Sequence, residues 1–183
     1  MKVYEYIPRY TYSDYAKWEG HWELIYGYPH AMSPSPNRKH QFVSLELAAE
    51  IRSSLKGNTK ECGHCKVYQD LDWIITEDTV VRPDIMVVCG KMEGDFLTFA
   101  PVLVIEIISP SSLLRDKNVK HQVYGNSGVK YYAIVNPKNK TTEIFELVNG
   151  EYIPQNTLGQ FALHNDCVLN FNISSFVQEL KLD

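Results

Sequence analysis

Long apolar runs are absent from this chain. None approaches the roughly 20 residues that a membrane-crossing helix needs, so no membrane association is expected. The start, Met1-Lys2-Val3-Tyr4-Glu5-Tyr6, lacks the apolar core of a secretory signal, and a cytoplasmic protein is the expectation. Cysteine is scarce. Cys62, Cys65, Cys89 and Cys167 are too few and too scattered for a disulfide scaffold, so reduced thiols are expected. Repeats, low-complexity segments and linkers are also missing, and the 183 residues read as a single domain, 1–183. Nor is there a large charge excess. A net charge of −4 and a pI of about 5.9 argue against a protein that mainly coats nucleic acid. They leave room for a nuclease, in which a local basic lip guides phosphates while metal-binding acids keep the total negative. A 44% hydrophobic and 22% charged composition excludes disordered and collagen-like chains.

What the chain does have is a conspicuous pair of apolar runs, 80–88 and 102–108, each with one carboxylate inside, Asp84 and Glu106. An acid in a buried strand is costly unless something pairs with it. A basic segment follows, Arg115-Asp116-Lys117-Asn118-Val119-Lys120. Two acids on neighbouring strands with a lysine after them suggest a metal-binding site.

The periodicity sets these runs in an α/β chain with a mixed sheet. Thr11 and Asp14 have capping-box spacing before a short helix. Trp22 to Gly27 reads as a strand with Glu23 and Ile25 on one face. A Pro- and Ser-rich loop follows, and Asn37 then caps a long helix to about Lys56. Its stripe is read as Phe42, Leu45, Ala49 and Leu55, widened by Val43, Leu47 and Ile51. From Cys65 to Val88 the strands read as an antiparallel meander, with a hairpin turn at Thr76-Glu77-Asp78-Thr79. The run opened by Pro101 is the most hydrophobic in the chain, apolar apart from Glu106, and belongs at the sheet centre. A helix capped at Ser111 or Ser112 runs to Asn126, and the strand from Lys130 to Val135 completes a parallel crossover. Asn149-Gly150 marks a hairpin, and a strand near Cys167 and a short amphipathic tail close the domain.

Several residues carry two readings. Glu106 and Lys120 are either site residues or a structural ion pair joining sheet to helix, in which Arg82 is the alternative partner of Glu106. Glu23 is either an additional or supporting acid or an edge-strand surface charge. His40, near a helix start, either contacts a phosphate or faces solvent. Arg115, Lys117, Lys120 and His121 form a basic strip that suits a phosphate backbone, or an ordinary solvated face. Tyr124 reads as core. Glu46 and Glu50 read as solvated acids. Cys62-Gly63-His64-Cys65 has the spacing of a redox pair but lacks the strand-to-helix setting that such chemistry needs. No second Cys or His pair at zinc-finger spacing accompanies it. The expectation is a turn with two reduced thiols.

Arg82-Pro83-Asp84, then Glu106-Ile107-Ile108-Ser109-Pro110-Ser111, then Lys120, resemble the PD-(D/E)XK nuclease superfamily, and within it the Uma family of restriction-endonuclease-like proteins. The likeness extends from Tyr12-Ser13-Asp14-Tyr15 and Glu23-Leu24-Ile25-Tyr26-Gly27, through Ser33-Pro34-Ser35-Pro36 and His40, to Gly128-Val129-Lys130-Tyr131-Tyr132-Ala133-Ile134-Val135-Asn136-Pro137. The resemblance implies a restriction-endonuclease-like core with an N-terminal helix, a central mixed sheet and one crossover helix. It matches Asp84 and Glu106 to the motif acids. Ile108 stands where the superfamily pattern has lysine, and Lys120 matches the Uma group's lysine on the following helix.

Mg²⁺ or Mn²⁺ suits such a carboxylate pair, with the Ile107 carbonyl as a further ligand. The expected function is then a metal-dependent DNA endonuclease with Asp84, Glu106 and Lys120 catalytic, and His40, Arg115 and Lys117 near phosphate. A nuclease that cuts both strands fits a homodimer, and no organic cofactor is implied. The alternative is a non-catalytic nucleic-acid- or protein-binding accessory module on the same fold. A third reading is a zinc or redox protein acting through Cys62 and Cys65.

Overall fold

A computed structural model describes residues 7–32, 36–108, 115–155 and 158–182 of the chain, without the side chains of Thr59, Arg115 and Asp116. Thr11 and Asp14 form their capping box and start α1 (Tyr12–Tyr15), a single turn. β1 (Trp22–Ile25) turns back through Tyr26-Gly27, both at positive φ, into β2 (Tyr28–Ala31). That hairpin is not foreseen, because Tyr28-Pro29-His30-Ala31 shows no apolar alternation. Asn37 caps α2 (Arg38–Gly57) by accepting from the His40 amide at 3.0 Å. The buried face of α2 is Val43, Leu47, Ala48, Ile51 and Leu55, while Phe42 and Leu45 are exposed. The apolar positions four apart set the stripe, and the expected one is rotated from it. Burying each large member contributes about 1.5–3 kcal/mol.

After α3 (Thr59–Cys62) come β3 (Cys65–Gln69), β4 (Trp73–Thr76), β5 (Thr79–Val81) and β6 (Ile85–Cys89). These do not form the expected meander. Proline offers no N–H to a ladder, and the chain changes sheets at Arg82-Pro83-Asp84. β5 pairs with β1 and β4, whereas β6 pairs with β3 and with β7 (Leu103–Ile107). The expected hairpin turn between β4 and β5 is present, with Thr76 opposite Thr79. The next helix is described from Arg115. It is π-wound over Arg115–Lys120 and continues as α4 (His121–Asn126). Its expected cap at Ser111 or Ser112 lies outside the described residues, as do residues 33–35 of the Pro- and Ser-rich loop.

β8 (Tyr131–Asn136) runs parallel to β7, which completes the expected crossover. β9 (Thr141–Val148) and β10 (Glu151–Pro154) form the Asn149-Gly150 hairpin. β11 (Gln160–His164) pairs with β12 (Cys167–Asn170), and α5 (Ile173–Glu179) follows. The six-stranded sheet has the order β10-β9-β8-β7-β6-β3 and the four-stranded sheet β2-β1-β5-β4. Alternation divides the strand residues between two cores. Ile85, Val87, Leu103, Ile105, Ile107 and Ala133 face α2, α5 and the β11–β12 hairpin. Met86, Val88, Val104 and Ile134 face Val123 and Tyr124 of α4 and Ile25 of β1. Among the described residues no helix is long and apolar enough to cross a membrane.

The cysteines depart from expectation. Cys62 is bonded to Cys167 and Cys65 to Cys89. Sequence separations of 105 and 24 residues hid these pairs, because only strand pairing and the docking of β12 bring the sulfurs together.

Candidate active site

The corner that ends β5 also places Asp84. β6 and β7 pair Ile85 with Ile105. The same antiparallel register, carried one residue further, sets Asp84 opposite Glu106. Directly opposed residues hold their Cβ atoms about 4.5–5.5 Å apart on one face. The Asp84 carboxylate is fixed at both oxygens. Oδ2 accepts from the Ile107 N–H at 2.6 Å, and Oδ1 lies 3.2 Å from His40 Nε2.

Glu106 is 3% exposed, Lys120 2% and Glu23 0%. Lys120 Nζ donates to Glu106 Oε1 at 2.9 Å and stands 2.8 Å from Glu23 Oε1. The Tyr124 hydroxyl donates to the same Glu106 oxygen at 2.5 Å, and the Arg82 N–H donates to Glu23 Oε1 at 3.0 Å. Burial and the Glu106 charge both push the Tyr124 phenol well above its ordinary pKa, so it stays a donor. One ammonium therefore serves two carboxylates from different sheets.

A second layer surrounds this core. The Arg82 guanidinium bonds Asp72 Oδ1 at 2.6 Å and reaches His21 Nδ1 at 3.2 Å. Tyr15 donates its hydroxyl to Asp72 Oδ2 at 3.0 Å, and the Asp72 bond raises the Arg82 pKa further. The Asp70 residue is exposed, but desolvation at its carboxyl, and then repulsion from Asp84, raise its pKa. A cleft of about 200 Å³ lined by Tyr12, Tyr15, Trp18, Trp22, Asp72 and Arg82 opens beside this layer. Five carboxylates (Glu23, Asp70, Asp72, Asp84, Glu106) thus gather around two permanent cations, Arg82 and Lys120. Carboxylate oxygens are the donors that hard divalent cations prefer.

The structure brings together Asp84, Glu106, Lys120, Glu23 and His40. It overturns the edge-strand reading of Glu23, since β1 lies inside its sheet between β2 and β5. It overturns the solvent-facing reading of His40, whose ring is on Asp84 and mostly shielded. Ile107 meets Asp84 through its amide. The basic strip does not exist as read. Lys120 is buried, Lys117 pairs with Glu143 of β9, and the His121 ring packs on Tyr132, Phe145 and Tyr152. The Arg115 side chain lies outside the described residues. Sequence reasoning missed Asp70, Asp72, Tyr15 and the polar role of Tyr124. The one available signal was Asp70-Leu71-Asp72, two acids abutting an apolar strand.

The chain is similar to known proteins in family and in fold. The family "Uma2: Putative restriction endonuclease" matches residues 11–174. Over 147 residues the chain is 24% identical to "Uncharacterized protein slr1290" of Synechocystis sp., covering 76% of this chain and 75% of that one. The crystal structure of "a putative nuclease belonging to DUF820" from Anabaena variabilis ATCC 29413 superposes with a TM-score of 0.66 at 20% identity. That superposition covers 94% of this chain and 93% of the other, a likeness of fold. The matched segment runs from the first capped helix through both acidic strands to the C-terminal helix, and the chain belongs to the Uma2 family.

Proposed function

We propose that this chain is a Mg²⁺- or Mn²⁺-dependent endonuclease that hydrolyses phosphodiester bonds in DNA. The observation that carries this reading is the Lys120 ammonium on the Glu106 carboxylate, with Asp84 held to the next residue of β7 through the Ile107 N–H. Family membership supports it, and so does the description of the structural neighbour as a nuclease. Asp84 immediately precedes β6 and Glu106 lies on the neighbouring strand β7, and carboxylate oxygens are donors that suit a hard cation. Asp84 and Glu106 would hold the ion, with the Ile107 carbonyl and Glu23 as further oxygen donors. A cation bound there polarises a phosphate and acidifies a water.

The chain's own groups do the rest. His40 and the Ile107 amide fix the two oxygens of Asp84, and Tyr124 fixes Glu106. Lys120 offers its charge to phosphoryl oxygens or orients the attacking water. Lys117 at the surface meets the DNA backbone after releasing Glu143, and a second copy of the chain supplies the cut on the opposite strand.

The test is nicking of supercoiled plasmid in Mg²⁺ or Mn²⁺. Asp84→Asn and Glu106→Gln keep side-chain volume and should each lower the rate by about 100-fold or more, with an unchanged circular-dichroism spectrum. Cleavage at the wild-type rate by either folded variant overturns the assignment. The near-complete burial of Glu23, Glu106 and Lys120 favours a second reading, a non-catalytic module in which they are a structural ion network. Calorimetric Mn²⁺ titration separates the two, since only the enzyme needs a site that Asp84→Asn abolishes.

A further inference from the structure

Four elements end at one point on the far side of the six-stranded sheet. Cys62 is the last residue of α3, Cys65 the first of β3, Cys89 the last of β6 and Cys167 the first of β12. The Cys65 and Cys167 sulfurs, which belong to different disulfides, lie 3.8 Å apart. All four sulfurs therefore form one continuous cluster. Cys62, Cys65 and Cys167 are buried, and only Cys89 is partly open. The Gly90 amide donates to the His64 carbonyl at 3.2 Å, which pins the Cys62–Cys65 turn to the end of β6. The His64 ring stands at the rim, with its ligand atom and the Cys65 and Cys89 sulfurs all within 4.8 Å of one another.

We propose that Cys62, Cys65, Cys89 and Cys167, when reduced, are the four thiolate ligands of a structural Zn²⁺ site. A tetrahedral zinc with ~2.3 Å bonds to sulfur has sulfur–sulfur edges of about 3.8 Å, the spacing already present between Cys65 and Cys167. Cys-x-x-Cys on a tight turn supplies two ligands, and the fold supplies the second pair that sequence spacing concealed. Four protein ligands in a buried setting make a closed, structural site with no position for substrate.

The two states are chemically distinct. Two dithiol molecules reduce the two disulfides to four thiols and are themselves oxidised to two cyclic disulfides. Zn²⁺ then displaces four protons, leaving a dianionic tetrathiolate. The site is separate from the acidic one, because Asp84 and Cys89 flank opposite ends of β6, about 17 Å apart along the strand. Zinc would tether the β11–β12 hairpin and α3 to the edge of the six-stranded sheet.

The test uses the full chain, reduced by a dithiol, desalted without oxygen and titrated with Co²⁺. One equivalent should produce the intense thiolate-to-cobalt charge-transfer absorption and the red d–d bands of tetrahedral cobalt, both erased by Zn²⁺. The result on the wild-type chain does not depend on any variant folding. Cys→Ser at each of the four positions should weaken Zn²⁺ binding by about 100-fold or more. His64→Ala and Asp84→Asn should leave the cobalt spectrum intact. The proposal is overturned if the reduced chain binds no cobalt, gives only a weak octahedral spectrum or keeps its disulfides under the dithiol. Loss of charge-transfer intensity in His64→Ala would equally overturn the four-thiolate assignment.

Discussion

Replacing Lys120 by methionine removes a charge while keeping most of the side-chain length, so it isolates what the ammonium does. Lys120 is 2% exposed, and its Nζ stands 2.8 Å from Glu23 Oε1 and 2.9 Å from Glu106 Oε1. Removing one partner of a buried ion pair costs about 3–5 kcal/mol, chiefly because the remaining charge is left uncompensated. Here two carboxylates lose their shared counter-ion at once, and the loss should fall in the upper part of that range. For a domain of this size each kcal/mol moves Tm by about 2–4 °C, so a loss of about 4–5 kcal/mol in Lys120→Met should lower Tm by about 8–20 °C.

Urea unfolding and scanning calorimetry in chelator give both quantities. The triple variant Glu23→Gln, Glu106→Gln, Lys120→Met removes the stranded charges as well. It should recover a large part of the loss, which makes the three changes strongly non-additive. A single-variant cost below about 1 kcal/mol would refute a desolvated, doubly engaged ammonium. So would a triple variant no more stable than Lys120→Met.

The remaining predictions probe the surroundings. Burial holds the His121 imidazole below its ordinary pKa of about 6.5. The unfolded chain therefore takes up this proton more readily than the folded one. The stabilising contribution is present above the unfolded value and is lost as pH falls through the folded one. His121→Phe should accordingly lose less stability than wild type between pH 7 and pH 5 in a urea series, and parallel pH profiles would contradict this. On α2, Leu47 is fully buried and Leu45 is 60% exposed. Leu47→Ala should cost about 2–5 kcal/mol and Leu45→Ala under about 0.5 kcal/mol, as read from denaturant midpoints. Equal costs would mean that the helix is rotated.

Local signals made most elements readable. The Asn37 cap, the Asn149-Gly150 hairpin and the central position of the mostly apolar strand at Leu103–Ile107 each follow from chemistry within a few residues. What local chemistry could not supply was assembly. Val80–Val88 looks like one strand because Pro83 changes its sheet without interrupting its apolar content. Tyr28–Ala31 pairs through its backbone although its side chains show no pattern. The disulfide partners are separated by whole elements. For the site, the two motif acids and Lys120 were legible, while Asp70 and Asp72 required the turn that brings them beside Asp84 and Arg82. Tyr124 was correctly read as core. Its ring is buried, and only the contact of its hydroxyl with Glu106 reveals a second role.

The position of the lysine follows from the same assembly. Residue 108 shares a face with Glu106, so a lysine there could reach back along the strand to that carboxylate. Ile108 instead fills apolar space among Val104, Val123 and Ile134. The ammonium arrives from above, at the point where the π-wound turn ends and α4 begins. This route gives it a second partner, because Glu23 approaches the same ammonium from β1 of the other sheet. A lysine on the strand would belong to one sheet, whereas Lys120 ties a helix to both. Lys120 thus couples the charge at Glu106 to the docking of the four-stranded sheet. Any motion that separates β1 from α4 would pull Lys120 away from one of its two carboxylates, so the docking of the two sheets and the charge balance of this cluster meet at a single buried nitrogen.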